Sequence, residues 1–336
     1  MTSAWGELAL IERIRSGWEQ RPGGRPSRGG VALGIGDDCA ILRPPRGHEV
    51  LVTTDFSLEG RHFRRDWHPP ESVGHRALAR GLSDLAAMGA RPLAAFLSLA
   101  LPAEMLTTRK DRAWVERFFT GLGRLAAQFD VPLAGGDTAE SPDGLVLADI
   151  VLVGSAPAGR ALRRSEARVG DLLYVTGALG GAAAELEALA AGGKKRPPSS
   201  VAHPHLYPEP RIAAGLALLS RRLATAAIDL SDGLSTDLTH LCHESQVGAR
   251  IDAAALPIHP LALQASQPLQ LALDGGEDYE LLFAAPPGIR MPRSLAGVPI
   301  TRIGRLTRGN TVTLIDANGH ERALKPGGWE HFAKRR

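Results

Sequence analysis

The chain has 336 residues, of which 44% are hydrophobic and 22% charged, a balance typical of globular proteins and not of disordered ones. Its formal net charge is only +3, so the pI of about 9.1 does not indicate a nucleic-acid-binding protein. The longest uncharged apolar run, 92–103, is too short to span a bilayer as a helix. Two cysteines, Cys39 and Cys242, are too few for a disulfide scaffold or a zinc module.

The length predicts about two domains. A compositional break at Ser155–Gly159 divides the chain into domains 1–157 and 158–336. Charged residues interrupt the apolar pattern near the N-terminus, at Glu7, Glu12 and Arg13, so we expect a cytoplasmic protein without a secretory signal.

Helical periodicity is clearest in two segments of the first domain. Residues 73–88 place Ala77, Leu78, Leu82 and Leu85 on one face, with Gly89 as the C-cap. Residues 7–18 form a shorter predicted helix. Its predicted apolar face consists of Leu8, Ile11 and Ile14. A longer predicted helix further along the chain has the apolar face Trp114, Val115, Phe118, Phe119, Leu122 and Leu125.

Predicted strands alternate with these helices and favour an α/β or α+β architecture. In the first domain we predict strands at 50–54, 93–101, 131–134 and 145–154. We also predict a loop at 21–30 and a turn at 142–144. In the second they are a strand at 172–176, a helix from Ala182, an exposed loop at 194–205 and a hairpin at Asn318-Gly319 between 312–315 and 322–324.

Acidic residues beside Gly or Ser recur at predicted strand ends. The motifs are Gly36-Asp37-Asp38, Thr53-Thr54-Asp55, Ser83-Asp84, Gly135-Gly136-Asp137, Asp229-Leu-Ser-Asp232-Gly233 and Gly275-Gly276-Glu277-Asp278. Each motif alone is typical of a turn. Asp84 is also placed for a surface ion pair with Arg80, and Asp232 for the N-cap of a helix beginning near Leu234.

Taken together, the acidic motifs indicate a metal site. Carboxylates that converge at strand ends repel one another, and Mg²⁺ relieves this repulsion while bridging to substrate phosphates. The chain has no His or Cys pair at ligand spacing, which favours Mg²⁺ or Mn²⁺ over zinc. A Walker-type phosphate loop and the protein-kinase motif set are absent from the sequence.

Eight blocks in order resemble the thiamine-monophosphate kinase family, within the ATP-binding superfamily of aminoimidazole ribonucleotide synthetase. They are GIGDDCAIL (34–42), TTDFSLEGRHF (53–63), GLSDLAAMGA (81–90), GGDT (135–138), GRALRRS (159–165), YVTGALGG (174–181), IDLSDGLSTDL (228–238) and GGEDYELLF (275–283). The resemblance spans essentially the whole chain. It implies an N-terminal ATP- and Mg²⁺-binding domain whose sheet pairs with that of a second subunit, and a C-terminal α/β domain that completes the substrate site.

The resemblance also implies the reaction ATP + thiamine monophosphate → ADP + thiamine diphosphate, with several Mg²⁺ ions, in a homodimer without nucleic-acid or membrane partners. The implied metal ligands are Asp38, Thr53, Thr54, Asp55, Asp84, Asp137, Asp229 and Asp232. The implied ATP contacts are Gly136, Asp137, Arg164 and Ser231, and the implied substrate contacts are His62, Glu277 and Trp329. Trp329 is alternatively an aromatic plug for the C-terminal segment, and Cys39 fits a small buried position.

An anionic phosphate acceptor needs no general base, so we expect in-line transfer that depends on charge neutralisation and positioning. Two alternatives remain open at this point. One is another ATP-dependent enzyme of the superfamily with a different acceptor, and the other is a non-catalytic nucleotide or metal sensor.

Overall fold

The computed structural model describes residues 5–19, 30–192, 203–330 and 332. Its contacts divide the chain into two compact units, residues 1–85 with 90–159 and residues 86–89 with 160–336. Most of the predicted loop at 21–30, and residues 194–202 of the predicted exposed loop, lie outside the described residues. No helix among the residues described is long and apolar enough to cross a membrane.

The first unit is built on a four-stranded sheet and three helices. Its elements are α1 (Glu7–Glu19), β1 (Val31–Leu33), β2 (Ile41–Leu42), β3 (His48–Leu58), α2 (Pro70–Ala87), β4 (Arg91–Leu101), α3 (Arg109–Gln128), β5 (Leu133–Glu140) and β6 (Leu147–Pro157). The sheet has the order β3-β6-β4-β5, with β4 and β5 parallel and the other pairs antiparallel. Strands β3 and β5 are therefore its two edges, while β1 and β2 form a separate ribbon.

Helix α2 packs on the sheet through the predicted face, and Ala77, Leu78, Leu82 and Leu85 are all buried. The helix ends as predicted at Gly89, which has φ +66°, and the Ala90 N–H donates to the Leu85 carbonyl at 2.8 Å. These contacts fix the helix that carries one of the predicted site residues, Asp84.

Two glycines allow α2 and α3 to approach at main-chain distance. A Cβ atom added at Gly74 would lie 2.0 Å from the Phe118 carbonyl oxygen, and one at Gly121 would lie 1.8 Å from the Glu71 carbonyl oxygen. Neither position accepts a side chain without separating the helices.

The predicted apolar face of α1 is wrong at Leu8. Leu8 is 83% exposed, whereas Leu10 and Trp18 are buried. Ile11 and Ile14 of the predicted face are half-buried, so the packed line runs through Leu10, Ile14 and Trp18 at helical spacing and leaves out Leu8.

The second unit contains an eight-stranded, mainly antiparallel sheet and four helices. Its elements are β7 (Leu172–Thr176), α4 (Gly181–Ala190), α5 (Ile212–Ser220), β8 (Ala226–Asp229), α6 (Leu234–Ser245), β9 (Gly248–Asp252), α7 (Pro268–Asp274), β10 (Leu281–Ala285), β11 (Ser294–Leu295), β12 (Val298–Thr307), β13 (Val312–Ile315) and β14 (Glu321–Ala323). The strand order is β14-β13-β9-β12-β7-β10-β8, with β11 paired to β12. The predicted hairpin at Asn318-Gly319 is confirmed between β13 and β14.

The core of the second unit lies between this sheet and α6. It includes Leu173, Val175, Ile228, Leu238 and Leu282, each at most 1% exposed. Both units thus combine helices with sheets, as the strand and helix pattern predicted, and the mainly antiparallel pairing gives an α+β architecture.

Candidate active site

The first group of predicted site residues lies where β3 faces α2. Alternation along β3 puts Thr53 and Asp55 on the side of the sheet toward the helix. The Thr53 hydroxyl donates a hydrogen bond to the Asp84 carboxylate of α2. Arg80, one turn earlier on α2, has its Nε 3.7 Å from Asp55 Oδ1. Three predicted metal ligands therefore meet on one face.

Negative charge accumulates in this group. Burial, together with the nearby charges of Asp84 and Asp149, raises the pKa of Asp55 to about 7, although the charge of Arg80 acts in the opposite direction. A carboxylate with this pKa has too little positive charge around it to stabilise its ionised form. The donors are carboxylate and hydroxyl oxygens, which are the ligands that Mg²⁺ prefers, so the residues present fit a magnesium ion.

Thr54 points to the opposite side of β3. Its hydroxyl donates to Asp149 Oδ1 at 2.8 Å, and Asp149 lies on the neighbouring strand β6. Thr54 is thus placed beside a carboxylate that the sequence analysis did not single out.

A second group lines a cavity of about 1040 Å³ in the first unit, bounded by α1, β5 and the segment 35–40. Asp38, Gly136 and Asp137 all line it. Cys39 lines it too and is exposed, so its predicted burial is wrong. The cavity therefore joins two acidic motifs that are about 100 positions apart in the sequence.

The strand register shows that these two groups lie at opposite edge strands of the sheet. Phe56 pairs with Asp149, Asp149 with Ser98, and Ser98 with Asp137, so Asp137 lies on one edge strand and Asp55 on the other. Among the described residues, no three His, Cys, Asp or Glu side chains are grouped to hold a metal ion. A shared set of ions for both groups stays a prediction.

Two acidic motifs predicted at strand ends lie within strands instead. Asp55 is in the middle of β3 and Asp137 in the middle of β5, while Asp84 is helical. Asp55 lies beside Arg80 of α2 and Asp84 accepts from Thr53 of β3, whereas Asp137 accepts the N–H of the next residue, Thr138, at 2.9 Å. Asp229 does end its strand, as predicted.

His62 is held in one orientation just after β3. Its Nδ1 accepts the Leu58 N–H at 3.0 Å, and its carbonyl oxygen accepts from Arg76 Nη2 at 3.1 Å. Because Nδ1 is an acceptor, the neutral ring carries its proton on Nε2. His62 is thus a hydrogen-bond donor through Nε2.

The second unit gathers a third group at the end of β8. The Ser231 carbonyl accepts the Glu277 N–H at 2.8 Å, and the Asp232 carbonyl accepts the Trp329 N–H at 3.1 Å. Trp329 is 46% exposed, so it is not a buried plug. Four predicted site residues from three distant segments therefore meet here.

Asp237, in the first turn of α6, completes this loop. Its Oδ2 accepts the N–H groups of Asp232 and Gly233, both at 3.1 Å. Burial, with the charges of Asp229 and Asp232, raises the pKa of Asp237 to about 8. Gly233 occupies the N-cap, so the alternative interpretation of Asp232 as N-cap is wrong.

Arg164 lies in a short 3-10 helix, Arg164–Glu166, and is exposed. Its carbonyl oxygen accepts the Ser245 hydroxyl at 2.5 Å, which anchors the backbone and leaves the role of the guanidinium as a prediction.

Two family models match most of the chain. Residues 36–156 match the AIR synthase related protein N-terminal domain, and residues 168–316 match the corresponding C-terminal domain. A relative from Escherichia coli K12, named thiamine-monophosphate kinase, is 41% identical over 346 aligned positions that cover 98% of this chain and 99% of the relative. The chain belongs to the thiamine-monophosphate kinase family.

Two solved structures share the family fold. The thiamine-monophosphate kinase of Stenotrophomonas maltophilia K279a is 37% identical with a TM-score of 0.77, and the alignment covers 93% of this chain and 97% of that one. AaThiL complexed with AMPPCP and TMP is 31% identical with a TM-score of 0.75, and covers 97% of each chain. The predicted resemblance and fold class are confirmed.

Three charged residues of this family member were missed in the sequence. Arg80 was considered only as a surface partner of Asp84, whereas its side chain is 16% exposed and faces Asp55. Asp149 is an acidic residue inside an apolar strand pattern, which is a signal that could have revealed it. Asp237 looked like an ordinary helical residue, and only the folded loop shows its two main-chain partners.

Proposed function

We propose that this protein transfers the γ-phosphoryl group of ATP to thiamine monophosphate, with Mg²⁺, to give thiamine diphosphate. The observation that carries the proposal is the oxygen-only group of Thr53, Asp55 and Asp84, whose crowded carboxylates suit a divalent cation. Relatives named thiamine-monophosphate kinase, and a related structure complexed with AMPPCP and TMP, support the choice of substrates.

The first unit is assigned to ATP and Mg²⁺. Asp55 and Asp84 with Thr53 would hold metal on one side of the sheet, Thr54 would hold metal on the other side beside Asp149, and Asp38 and Asp137 would hold metal in the cavity. Bound there, Mg²⁺ would neutralise phosphate charge. Gly136 lines the same cavity with bare backbone, which allows phosphate to approach a main-chain N–H.

The chemistry needs no general base, because the attacking oxygen belongs to a phosphate monoester that is already anionic. The barrier is the repulsion between two phosphates that must approach in line. The exposed Arg164 is assigned as a charge clamp on the triphosphate, and Ser231, Asp229 and Asp232 as further nucleotide and metal contacts.

The proposed substrate contacts are assigned separately in each unit. The half-exposed indole of Trp329 suits the flat, cationic thiazolium ring, and Glu277 complements its charge. The Nε2–H of His62 is suited to donate to the substrate phosphate. We assign residues 1–157 to ATP, metal and dimer formation, and 158–336 to contacts that complete the substrate site.

A homodimer and a cytoplasmic location belong to the same proposal. One face of the edge strand β3 leaves Val50, Val52 and Phe56 between 50% and 65% exposed, an apolar stripe suited to the sheet of a second copy.

The test is incubation with ATP, Mg²⁺ and thiamine monophosphate, followed by separation of the phosphorylated thiamines. We expect thiamine diphosphate from the wild type and none from Asp84→Asn, with Asp143→Asn, an exposed turn residue, as the matched control. Phosphorylation of only a different acceptor would replace this proposal with another superfamily activity. Tight ATP binding without any product would indicate a sensor.

A further inference from the structure

A buried histidine contacts the carboxylate assigned to the substrate. His205 Nδ1 lies 3.1 Å from Glu277 Oε2, and their side chains are 1% and 22% exposed. The segment 194–205 was predicted to be an exposed loop, and His205 contradicts this. A fully buried imidazole facing a partly exposed carboxylate can orient that carboxylate without reaching solvent itself.

The backbone around Glu277 is built to present one side chain. Glu277 and Tyr279 have φ values of +66° and +50°, which are uncommon for residues with side chains. Main-chain bonds hold this shape: the Glu277 N–H donates to Ser231 at 2.8 Å, and the Tyr279 N–H donates to Leu230 at 2.9 Å. Strain that is retained in this way fixes where the Glu277 side chain leaves the backbone.

The two acidic residues that follow Glu277, Asp278 and Glu280, accept hydrogen bonds from other segments of the protein. Asp278 accepts the N–H groups of Gly180 and Ala182 at the start of α4, at 2.6 and 3.2 Å. Glu280 accepts two hydrogen bonds from Arg211, at 2.8 and 2.6 Å. Glu277 differs from Asp278 and Glu280, because a histidine lies beside its carboxylate and part of that carboxylate is accessible.

His205 is itself held by a buried acid. Glu185, 1% exposed, accepts the His205 N–H at 2.8 Å and the Leu206 N–H at 3.3 Å through Oε2. Its Oε1 contacts His203 Nδ1 at 2.6 Å. The ring of His205 thus projects from a fixed backbone toward a fixed partner.

We propose that His205 is a positioning residue for the substrate. Its imidazole, with Nδ1 3.1 Å from Oε2 of Glu277, holds that oxygen and thereby directs the other carboxylate oxygen to the thiamine substrate, which has a cationic thiazolium ring and an amine on its pyrimidine ring. The inference rests on the proposed function and adds a residue that does not itself touch the substrate.

The test compares His205→Ala with His205→Asn, whose amide N–H can take the place of Nδ1–H. We expect His205→Ala to raise the KM for thiamine monophosphate by about tenfold or more, the effect of losing one hydrogen bond to a charged group. The KM for ATP should stay within about twofold, and His205→Asn should recover most of the loss. His203→Ala, a change at the histidine on the other Glu185 oxygen, is the matched control and should behave as wild type.

A double-mutant cycle with Glu277→Ala decides whether the effect passes through Glu277. In that background we expect His205→Ala to change the KM for thiamine monophosphate by less than about twofold. Equal losses in both backgrounds, or a failure of His205→Asn to recover binding when it folds normally, would overturn the inference while leaving the proposed function intact. If the wild type neither binds nor phosphorylates thiamine monophosphate, both proposals are refuted.

Discussion

Gly136 provides the sharpest test of how the fold serves the cavity. Its φ of +148° lies in a region that is essentially restricted to glycine. A Cβ atom there would lie 1.9 Å from the Leu97 carbonyl oxygen and 2.6 Å from the Leu97 carbonyl carbon, both on strand β4. Gly136→Ala must therefore push β5 away from β4.

The cost follows from this geometry. Moving the Cβ from 1.9 Å to an ordinary contact distance of at least 3.4 Å displaces β5 by about 1.5 Å, and the φ of Gly136 adds about 1–3 kcal/mol of backbone strain for alanine. Weakening about two hydrogen bonds of the β4–β5 pair adds about 1 kcal/mol each, for a total of about 3–5 kcal/mol. Because Asp137 is the next residue, a shift of this size should lower kcat/KM on the order of a hundredfold.

Gly135→Ala is the matched control. A Cβ at Gly135 would meet only the edge of the Phe96 ring, at 2.9 Å, and a ring can rotate where a main-chain carbonyl cannot. Urea unfolding and the thiamine diphosphate assay on both variants should show a large loss for Gly136→Ala and about 1 kcal/mol or less for Gly135→Ala. Equal stability and turnover of the two variants would refute the reasoning.

Three further predictions concern charge and recognition. Asp55→Asn should abolish thiamine diphosphate formation. At pH values above 7 the metal-free variant should nevertheless unfold at a higher urea concentration than the metal-free wild type, because the fold disfavours the ionised Asp55 carboxylate. An active variant, or one that is less stable than the wild type at these pH values, contradicts this. Burial raises the pKa of Asp278 to about 7, so the folded protein binds the Asp278 proton more tightly than the unfolded chain does. The free energy of unfolding of the wild type, measured relative to that of Asp278→Asn, should therefore fall as the pH rises from about 4 to about 7. A difference between these two proteins that does not vary with pH counts against that pKa. Trp329→Ala should raise the KM for thiamine monophosphate and leave the KM for ATP unchanged, because its main-chain bond to Asp232 is retained; equal changes in both constants would indicate a structural role instead.

Periodicity and turn chemistry predicted the parts of the fold that depend on local sequence. The buried face of α2 and the hairpin at Asn318-Gly319 are confirmed, since each has a repeated or specific signal. The face of α1 was wrong at Leu8, because the packed line of the helix begins two residues later, at the buried Leu10.

The candidate site was predictable in its residue types and not in its partners. Thr53 and Asp84 are 31 positions apart, and their contact depends on how α2 lies across β3. Glu277 and His205 are farther apart still, and no local pattern distinguishes a histidine that is buried against an acid from one in a loop. Such pairs are set by tertiary packing, which one sequence does not display.

The main-chain contact between α2 and α3 has a consequence for redesign of the protein. Gly74 and Gly121 each face a main-chain carbonyl of the other helix, so no side-chain rotation can adjust this contact. The position of α2 relative to α3 is therefore fixed by main-chain packing. If Asp84 holds Mg²⁺ as proposed, a change in ion preference would therefore require different donor atoms and not a wider gap between α2 and β3.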